Sequence, residues 1–398
     1  MQRSDSNPIS NTPRNSVLVA GHEVTLFAES PPLLAAMTAD MRAARTRIWM
    51  ETYIYVDDDA GREIADVLIE RAQAGLDVRL MVDGFGSFSL PRTYLNRLRA
   101  GGVQVHEFHA LRNLFKAPRF LQALNQRNHR KLLVIDDEIA YFGGMNVVDQ
   151  SGIRTPADAK ERHLPKSAGW RDVHARLHGP RQAEIVAVME RLWRRVHKQP
   201  REKPPRWKQP DFAHAQPEAF YFFDSRPTFK DRRPHRILAP LLQQARQNVT
   251  VLMAYFVPLG RVLRELLKAR RRGVRVTVVV PGQSDVKIVQ WASRHLYEFL
   301  LMRGIRIFER RERMLHSKAL VVDGEWSVVG SCNLDARSLR INLEFFAVIR
   351  SKPLAAALER IAKEEMQASQ RVDADYCRRL SWWQRSLGRA AWGLRKWL

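Results

Sequence analysis

The chain has 398 residues, enough for two domains of ordinary size, and its 45% apolar content excludes global disorder. A formal charge of +24 excludes indifference to anions and implies an acidic partner, either nucleic acid or the anionic face of a membrane. No run of apolar residues is long enough for a spanning helix, and Cys332 and Cys377 lack any disulfide or metal-ligand spacing.

In chain order, residues 1–16 are polar, with no apolar region that would make a signal peptide, and read as a disordered tail. A first domain, 17–200, opens with the β-rich run "TRIWMETYIYV", the helical pattern "GREIADVLIERAQAG" and a second strand in "LDVRLMVDG". A further helix, "YLNRLRAGG", and a short strand, "VQVHEFH", follow. Residues 201–217, within a stretch rich in proline and charge, read as a linker. The second domain, 218–380, repeats the order with "NVTVLMAYFVP", "GRVLRELLKARRRG", "VRVTVVVPG", "LYEFLLMRG" and "IRIFERR". Gly75 matches Gly273 and Gly102 matches Gly304, each where a helix should end on glycine. Strands separated by helices predict an α/β class with mixed sheets, and beyond residue 352 the pattern reads as helical to the end.

Each half closes on one template: H-x-K, four residues, D, six residues, G-[GS]-x-N. The first copy supplies His129, Lys131, Asp136, Gly143, Gly144 and Asn146; the second supplies His316, Lys318, Asp323, Gly330, Ser331 and Asn333. Both copies read as β-hairpins, with Asp323-Gly324 as the turn of the second. His and Lys, two apart on a strand, share a face, and the returning arm brings Gly-x-Asn beside them. Imidazole, ammonium and carboxamide then converge, with donors for phosphate oxygens and a ring nitrogen to attack phosphorus. Asp136 is five residues from Lys131, about 16 Å along an extended strand, so the geometry makes Asp136 and Asp323 turn residues. The carboxylates that orient the histidines are expected from Asp172 and Glu344, which hold similar places after the two templates. A repeat kept only for its fold would preserve apolar periodicity and has no need of His, Lys and Asn. Zinc would want three or four His, Cys or carboxylate ligands, which the template does not offer.

At these residues the chain resembles the phospholipase D superfamily. Within it, "ETYIYVDDDAGREIADVL", "DGFGS", "FGGMNV" and "VGSCNLDARSLRINLEFFA" are similar to bacterial cardiolipin synthases of the form lacking N-terminal transmembrane helices. The resemblance implies two α/β/α domains about a pseudo-twofold axis, with both histidines in one shared site. It implies phosphatidyl transfer through a phosphatidyl-histidine intermediate, with no metal or other cofactor. His129 would be the nucleophile and His316 the acid/base. Lys131, Lys318, Asn146, Asn333 and Ser331 would hold the phosphate. The aspartates of the signature, Asp136 and Asp323, count with the catalytic set on resemblance alone. Gly144 opposite Ser331 breaks the internal symmetry.

The positive charge then points to anionic phospholipid rather than nucleic acid, and to a peripheral position on the cytoplasmic face of the cell membrane. Residues 381–398 form an amphipathic pattern, with Trp383, Leu387, Ala390, Ala391, Leu394 and Leu398 on one face for the bilayer. Residues 111–128, extra relative to the second half, read as a membrane-contacting lid. Hydrolysis of phospholipid, or of nucleic acid by the same His/Lys machinery, is the alternative.

Overall fold

The computed structural model describes residues 15–110, 125–148, 169–200, 208–225 and 233–398. Most of the expected tail, the 111–124 part of the expected lid and residues 201–207 of the linker lie outside the described residues.

The first half contains β1 (Ser16–Val19), β2 (His22–Phe27), β3 (Arg47–Thr52), β4 (Asp77–Asp83), β5 (Gln104–Phe108), β6 (Leu132–Ile135), β7 (Ile139–Gly143), β8 (Trp170–Arg171) and β9 (His174–His178). The second contains β10 (Ala219–Asp224), β11 (Asn248–Met253), β12 (Arg275–Pro281), β13 (Arg306–Arg310), β14 (Met314–Leu315), β15 (Lys318–Val322), β16 (Trp326–Gly330), β17 (Phe345–Arg350) and β18 (Ser369–Val372). Two eight-stranded sheets result, ordered β1-β2-β9-β7-β6-β3-β4-β5 and β10-β17-β16-β15-β11-β12-β13-β18. Seven strands correspond one to one, from β2 with β10 through to β5 with β13. β1 then extends one edge of the first sheet, and β18 the opposite edge of the second. In both, the three strands joined through helices pair in parallel and the hairpin strands pair antiparallel. Gly75 and Gly273, at φ +92° and +91°, end corresponding helices in the left-handed region that glycine enters without strain.

The apolar runs of the template are explained by burial on both sheet faces. Along β6, Leu133 and Ile135 pack with the helices Ser30–Ala43, Asp59–Gln73 and Arg92–Ala100, whereas Leu132 and Val134 point the other way. Those two join a core shared with the second half, where Ala319 and Val321 of β15 and Ala347 and Ile349 of β17 meet them. The helices Gln182–Val196 and Lys352–Gln367 contribute to the same core through Ile185, Met189, Leu358 and Ile361. The sheets are thus fastened to one another through their inner faces and these two helices, with the helices Ser30–Ala43, Asp59–Gln73 and Arg92–Ala100 on the outer face of the first.

Two expectations are corrected. The C-terminal region is not helical throughout, because β18 pairs antiparallel with β13 before the chain turns helical again. The last helix, Trp382–Gly393, presents only part of its predicted face to solvent: Trp383 and Ala390 are exposed, whereas Ala391 is buried. It lies on the helix Lys287–His295, burying Gly388 and Ala391, since the missing side chain of Gly388 allows close approach to Trp291 and His295.

Asp136 and Asp323 are also removed from the catalytic set. The Asp136 carboxylate accepts backbone N–H bonds from Arg45, Thr46 and Arg47, at 2.9, 2.8 and 3.1 Å. Asp323 does the same for Arg246, Gln247 and Asn248, at 2.8, 2.8 and 2.9 Å. Each ties its hairpin turn to the start of the neighbouring strand, at the far end of the hairpin from the histidine. Burial raises the pKa of Asp136, but the three amides together outweigh burial and hold it below the usual carboxylate range. Its stabilisation is therefore present above the unfolded carboxylate range and lost as pH falls through the lower folded value. Asp136→Ala and Asp323→Ala should each cost about 1–2 kcal/mol in chemical denaturation, with the kcat of the remaining folded protein changed less than threefold.

Candidate active site

His129 and His316 stand at the mouths of their hairpins, just before β6 and β15, where the backbone crosses between halves. His129 N–H donates to Leu343 O at 2.9 Å, and His316 N–H donates to Arg171 O at 2.7 Å. Beside these contacts β8 pairs with β14 in parallel, and Asn128 bridges to Leu343. The residue after each acceptor carbonyl is a carboxylate: Glu344 follows Leu343 and Asp172 follows Arg171. The exchange of backbone bonds thus delivers each carboxylate to the other half's histidine.

His129 Nδ1 donates to Glu344 at 3.0 and 3.1 Å, and His316 Nδ1 donates to Asp172 Oδ2 at 2.7 Å. With Nδ1 bonded to the carboxylate, Nε2 is the ring nitrogen that the carboxylate leaves unengaged in both rings. Both imidazoles line one cavity of about 1420 Å³, together with Asn146 and Asn333. Asn146 Oδ1 accepts from Ile54 N at 3.1 Å, which turns its NH2 group away from that backbone. Asn333 Oδ1 is buried with no hydrogen-bond partner among the described residues.

The lysines lie beneath the rings. Lys131 Nζ donates to His129 O at 2.7 Å. Lys318 Nζ contacts His316 O and lies 2.7 and 2.9 Å from the two nitrogens of the His316 ring. It is also 3.7 Å from Asp172 Oδ2. Burial first, and then the Lys318 charge, push the Lys131 pKa well down; burial also lowers that of Lys318. Burial raises the Asp172 pKa, but Lys318 and His316 outweigh it and hold the carboxyl below its ordinary value. Burial lowers the His129 pKa to about 4, against the opposing attraction of Glu344, and lowers that of His316, with Lys318 adding to the shift. Both imidazoles thus favour the neutral form, with the two lysines and the two carboxyl groups buried beside them.

Ser331 is not placed to receive a phosphate. Its hydroxyl donates to Glu344 Oε2 and accepts from Phe345 N at 3.1 Å. At the corresponding position, a methyl group on Gly144 would come within 2.2 Å of Asp172 Oδ1. The shorter carboxylate is accommodated by a glycine and the longer one is steadied by a serine, so the asymmetry serves the orienting carboxylates.

Several cavity residues went unpredicted. The Tyr53 ring packs edge-on to His129 with centroids 5.0 Å apart, and Tyr255 does likewise to His316 at 6.2 Å. They follow β3 and β11 closely, in "METY" and "LMAY", so aligning the two halves would have found them. Trp170, 5.0 Å from the His316 ring, faces no aromatic partner in the other half, where Asn342 stands in its place. Asp285, Asp335 and Arg337 complete the polar lining and carry no signal in the template.

A family model described as "Cardiolipin synthase, PLD-like domain" matches residues 37–156 and 238–366. The chain belongs to this family. Both matched segments of the cardiolipin synthase, phospholipase D-like family contain one copy of the template. Cardiolipin synthase A of Escherichia coli O1:K1 is 32% identical over 373 residues, covering 92% of this chain and 74% of that protein. Cardiolipin synthase A of Cronobacter sakazakii is 32% identical over 377 residues, covering 93% and 74%. The fold is shared with phosphatidylserine synthase of Haemophilus influenzae Rd KW20, at TM-score 0.67 and 13% identity over 97% of this chain and 98% of that one. It is shared also with polyphosphate kinase of Porphyromonas gingivalis, at TM-score 0.57 and 15% identity over 89% and 49%.

The depressed histidine has a measurable consequence. Unfolded, the imidazole binds a proton near 6.5, but folded His129 binds one only near 4, so unfolding takes up a proton between those values. Stability should fall as pH is lowered from about 6.5 to about 4, and nuclear magnetic resonance should find His129 neutral at pH 6. An imidazolium at that pH would contradict this electrostatic account.

Proposed function

We propose that this chain makes cardiolipin by transferring a phosphatidyl group from phosphatidylglycerol, or from phosphatidylethanolamine, to the hydroxyl of a second phosphatidylglycerol. The crossed histidine–carboxylate pairs, meeting over two buried lysines in one cavity, carry this reading for a member of this family.

His129 Nε2 attacks the donor phosphorus; a P–N bond forms as the P–O bond to the headgroup alcohol breaks. His316 gives that alcohol its proton and it leaves as glycerol or ethanolamine. The acceptor hydroxyl then attacks phosphorus, passing its proton to His316, and the P–N bond breaks to restore His129. Glu344 and Asp172 hold the rings in the required tautomer and offset the positive charge each acquires. Lys131, Lys318 and the carboxamides of Asn146 and Asn333 bind the non-bridging oxygens and offset their charge. The neutral resting state of His129 suits a nucleophile. The arriving phosphodiester anion raises the pKa of His316 towards the protonated form that an acid needs.

The mouth of the cavity favours a lipid substrate. Phe88 and Trp397 are 73% and 72% exposed there, beside the half-exposed Phe85, and Trp382 and Trp383 are exposed on the adjoining helix. Arg385, Arg389 and Lys396 are interspersed with them. Exposed aromatic groups and cations together fit the headgroup region of an anionic bilayer. Among the described residues no helix is long and apolar enough to cross a membrane. This rim, by its aromatic groups and cations, is the proposed means of peripheral attachment.

Purified protein given labelled phosphatidylglycerol vesicles should yield cardiolipin and free glycerol, and His129→Asn or His316→Asn should reduce turnover by about three orders of magnitude or more. Phosphatidic acid as the sole product would indicate a hydrolase, and nicking of plasmid DNA a nuclease. Phe88→Ser combined with Trp397→Ser should weaken vesicle binding about tenfold or more in sedimentation, by loss of apolar burial. Unchanged binding would rule out the rim as the docking face.

A further inference from the structure

The reacting phosphate already has two lysines and two asparagines, yet the same cavity contains two more cations. Arg337 Nη1 donates to Asn125 Oδ1 at 2.9 Å and its Nη2 to Asn125 O at 2.7 Å. Both acceptors are neutral, and among the described residues no carboxylate forms an ion pair with Arg337. Its backbone N–H bonds to Leu398 O at 2.9 Å, which fixes this stretch against the end of the chain at the cavity mouth.

Arg127 is its neighbour. It is buried beside Asp83, 3.8 Å away, and lies over the Phe85 ring at 5.2 Å. Arg337 is bonded to Asn125, two residues before Arg127, and both arginines line the cavity; burial lowers the Arg127 pKa and repulsion by Arg337 adds to the shift. Both act electrostatically on Tyr53, whose ring is against His129. Arg127 lies two residues before His129, and Arg337 is tied to Asn125 two residues before that, so the pair stands on the His129 side of the cavity. The carboxylates facing the same space have other partners: Asp285 accepts from Tyr255 Oη at 2.8 Å, and Asp335 accepts from Ser338 N at 2.7 Å.

The proposed reaction brings a second anion into this largely apolar cavity. The acceptor lipid carries its own phosphodiester, one glycerol unit from the attacking hydroxyl. A phosphodiester leaving water for such a space needs a cation with hydrogen-bonding geometry, and a planar guanidinium offers two parallel N–H bonds to its oxygens. We propose that Arg337, with Arg127 behind it, forms a second phosphate subsite that binds the phosphodiester of the acceptor phospholipid. This rests on the synthase reading and adds to it the residue that selects a phospholipid alcohol over water or a simple alcohol.

The test is a competition between acceptors. Full-length protein in mixed micelles of phosphatidylglycerol receives ethanol as an uncharged acceptor, and cardiolipin and phosphatidylethanol are quantified together. Both products come from the same phosphatidyl-enzyme, so their ratio reports acceptor choice, independent of how much enzyme is folded. Arg337→Gln should lower the cardiolipin-to-phosphatidylethanol ratio about tenfold or more, and Arg337→Lys should recover part of it through the retained charge. An unchanged ratio, whether both products persist or both fall together, would overturn the subsite. Wild-type protein that forms phosphatidylethanol but no cardiolipin would instead overturn the synthase reading, and the subsite with it.

Discussion

Each imidazole in this protein is oriented by a carboxylate from the opposite half of the chain, and the remaining architecture makes that exchange possible. His129 depends on Glu344, and His316 on Asp172, through hydrogen bonds that cross the boundary between the two sheets. The reciprocal backbone bonds at Leu343 and Arg171 set the register, since each orienting carboxylate is the next residue along. The shared core behind β6, β15 and β17 holds the halves in that register. Neither half contains a complete site: each supplies a histidine, and each lacks the group that orients it.

The electrostatics follow from the same arrangement. Lys131, Lys318, Asp172 and Glu344 are all buried, so each depends on its neighbours to offset the cost of leaving water. Burial disfavours the protonated forms of the lysines and histidines, and an arriving phosphodiester, by adding negative charge beside them, favours those forms. The two halves of the site differ in detail: Gly144 accommodates the short carboxylate of Asp172, and Ser331 steadies the longer Glu344. Trp170 opposite Asn342 extends that difference, giving the two histidines unlike surroundings in which nucleophile and acid can be distinct.

Much of this was legible in the sequence because the repeat is explicit. The strand–helix order, both hairpins, the terminal glycines of the helices and the histidine–lysine–asparagine clusters follow from local spacing. Geometry along a strand also put Asp136 and Asp323 at the turns, where they bind the backbone, against the role that family likeness alone suggested. The crossing of Asp172 and Glu344 was not legible, since nothing in local spacing says which histidine a carboxylate will meet. Ser331 was misjudged for a related reason: a hydroxyl beside a phosphate-binding motif resembles a ligand until the neighbouring carboxylate is seen. Amphipathic periodicity did not reveal how the last helix docks, because contact at Gly388 and Ala391 is decided by close approach and not by hydrophobicity. Arg337 lies in a stretch that resembles the family but outside the histidine–lysine–asparagine template, and its place became visible only when the fold brought residues 125, 127 and 337 together.

The central claim, that two halves make one site, is tested most directly by counting intermediates. Rapid acid-free quenching of the enzyme after mixing with phosphatidylglycerol labelled in the phosphatidyl moiety traps label bound to protein. One phosphatidyl group per chain, on His129 alone, is the result predicted. Two groups per chain, one on each histidine, would mean two independent sites and would contradict the account.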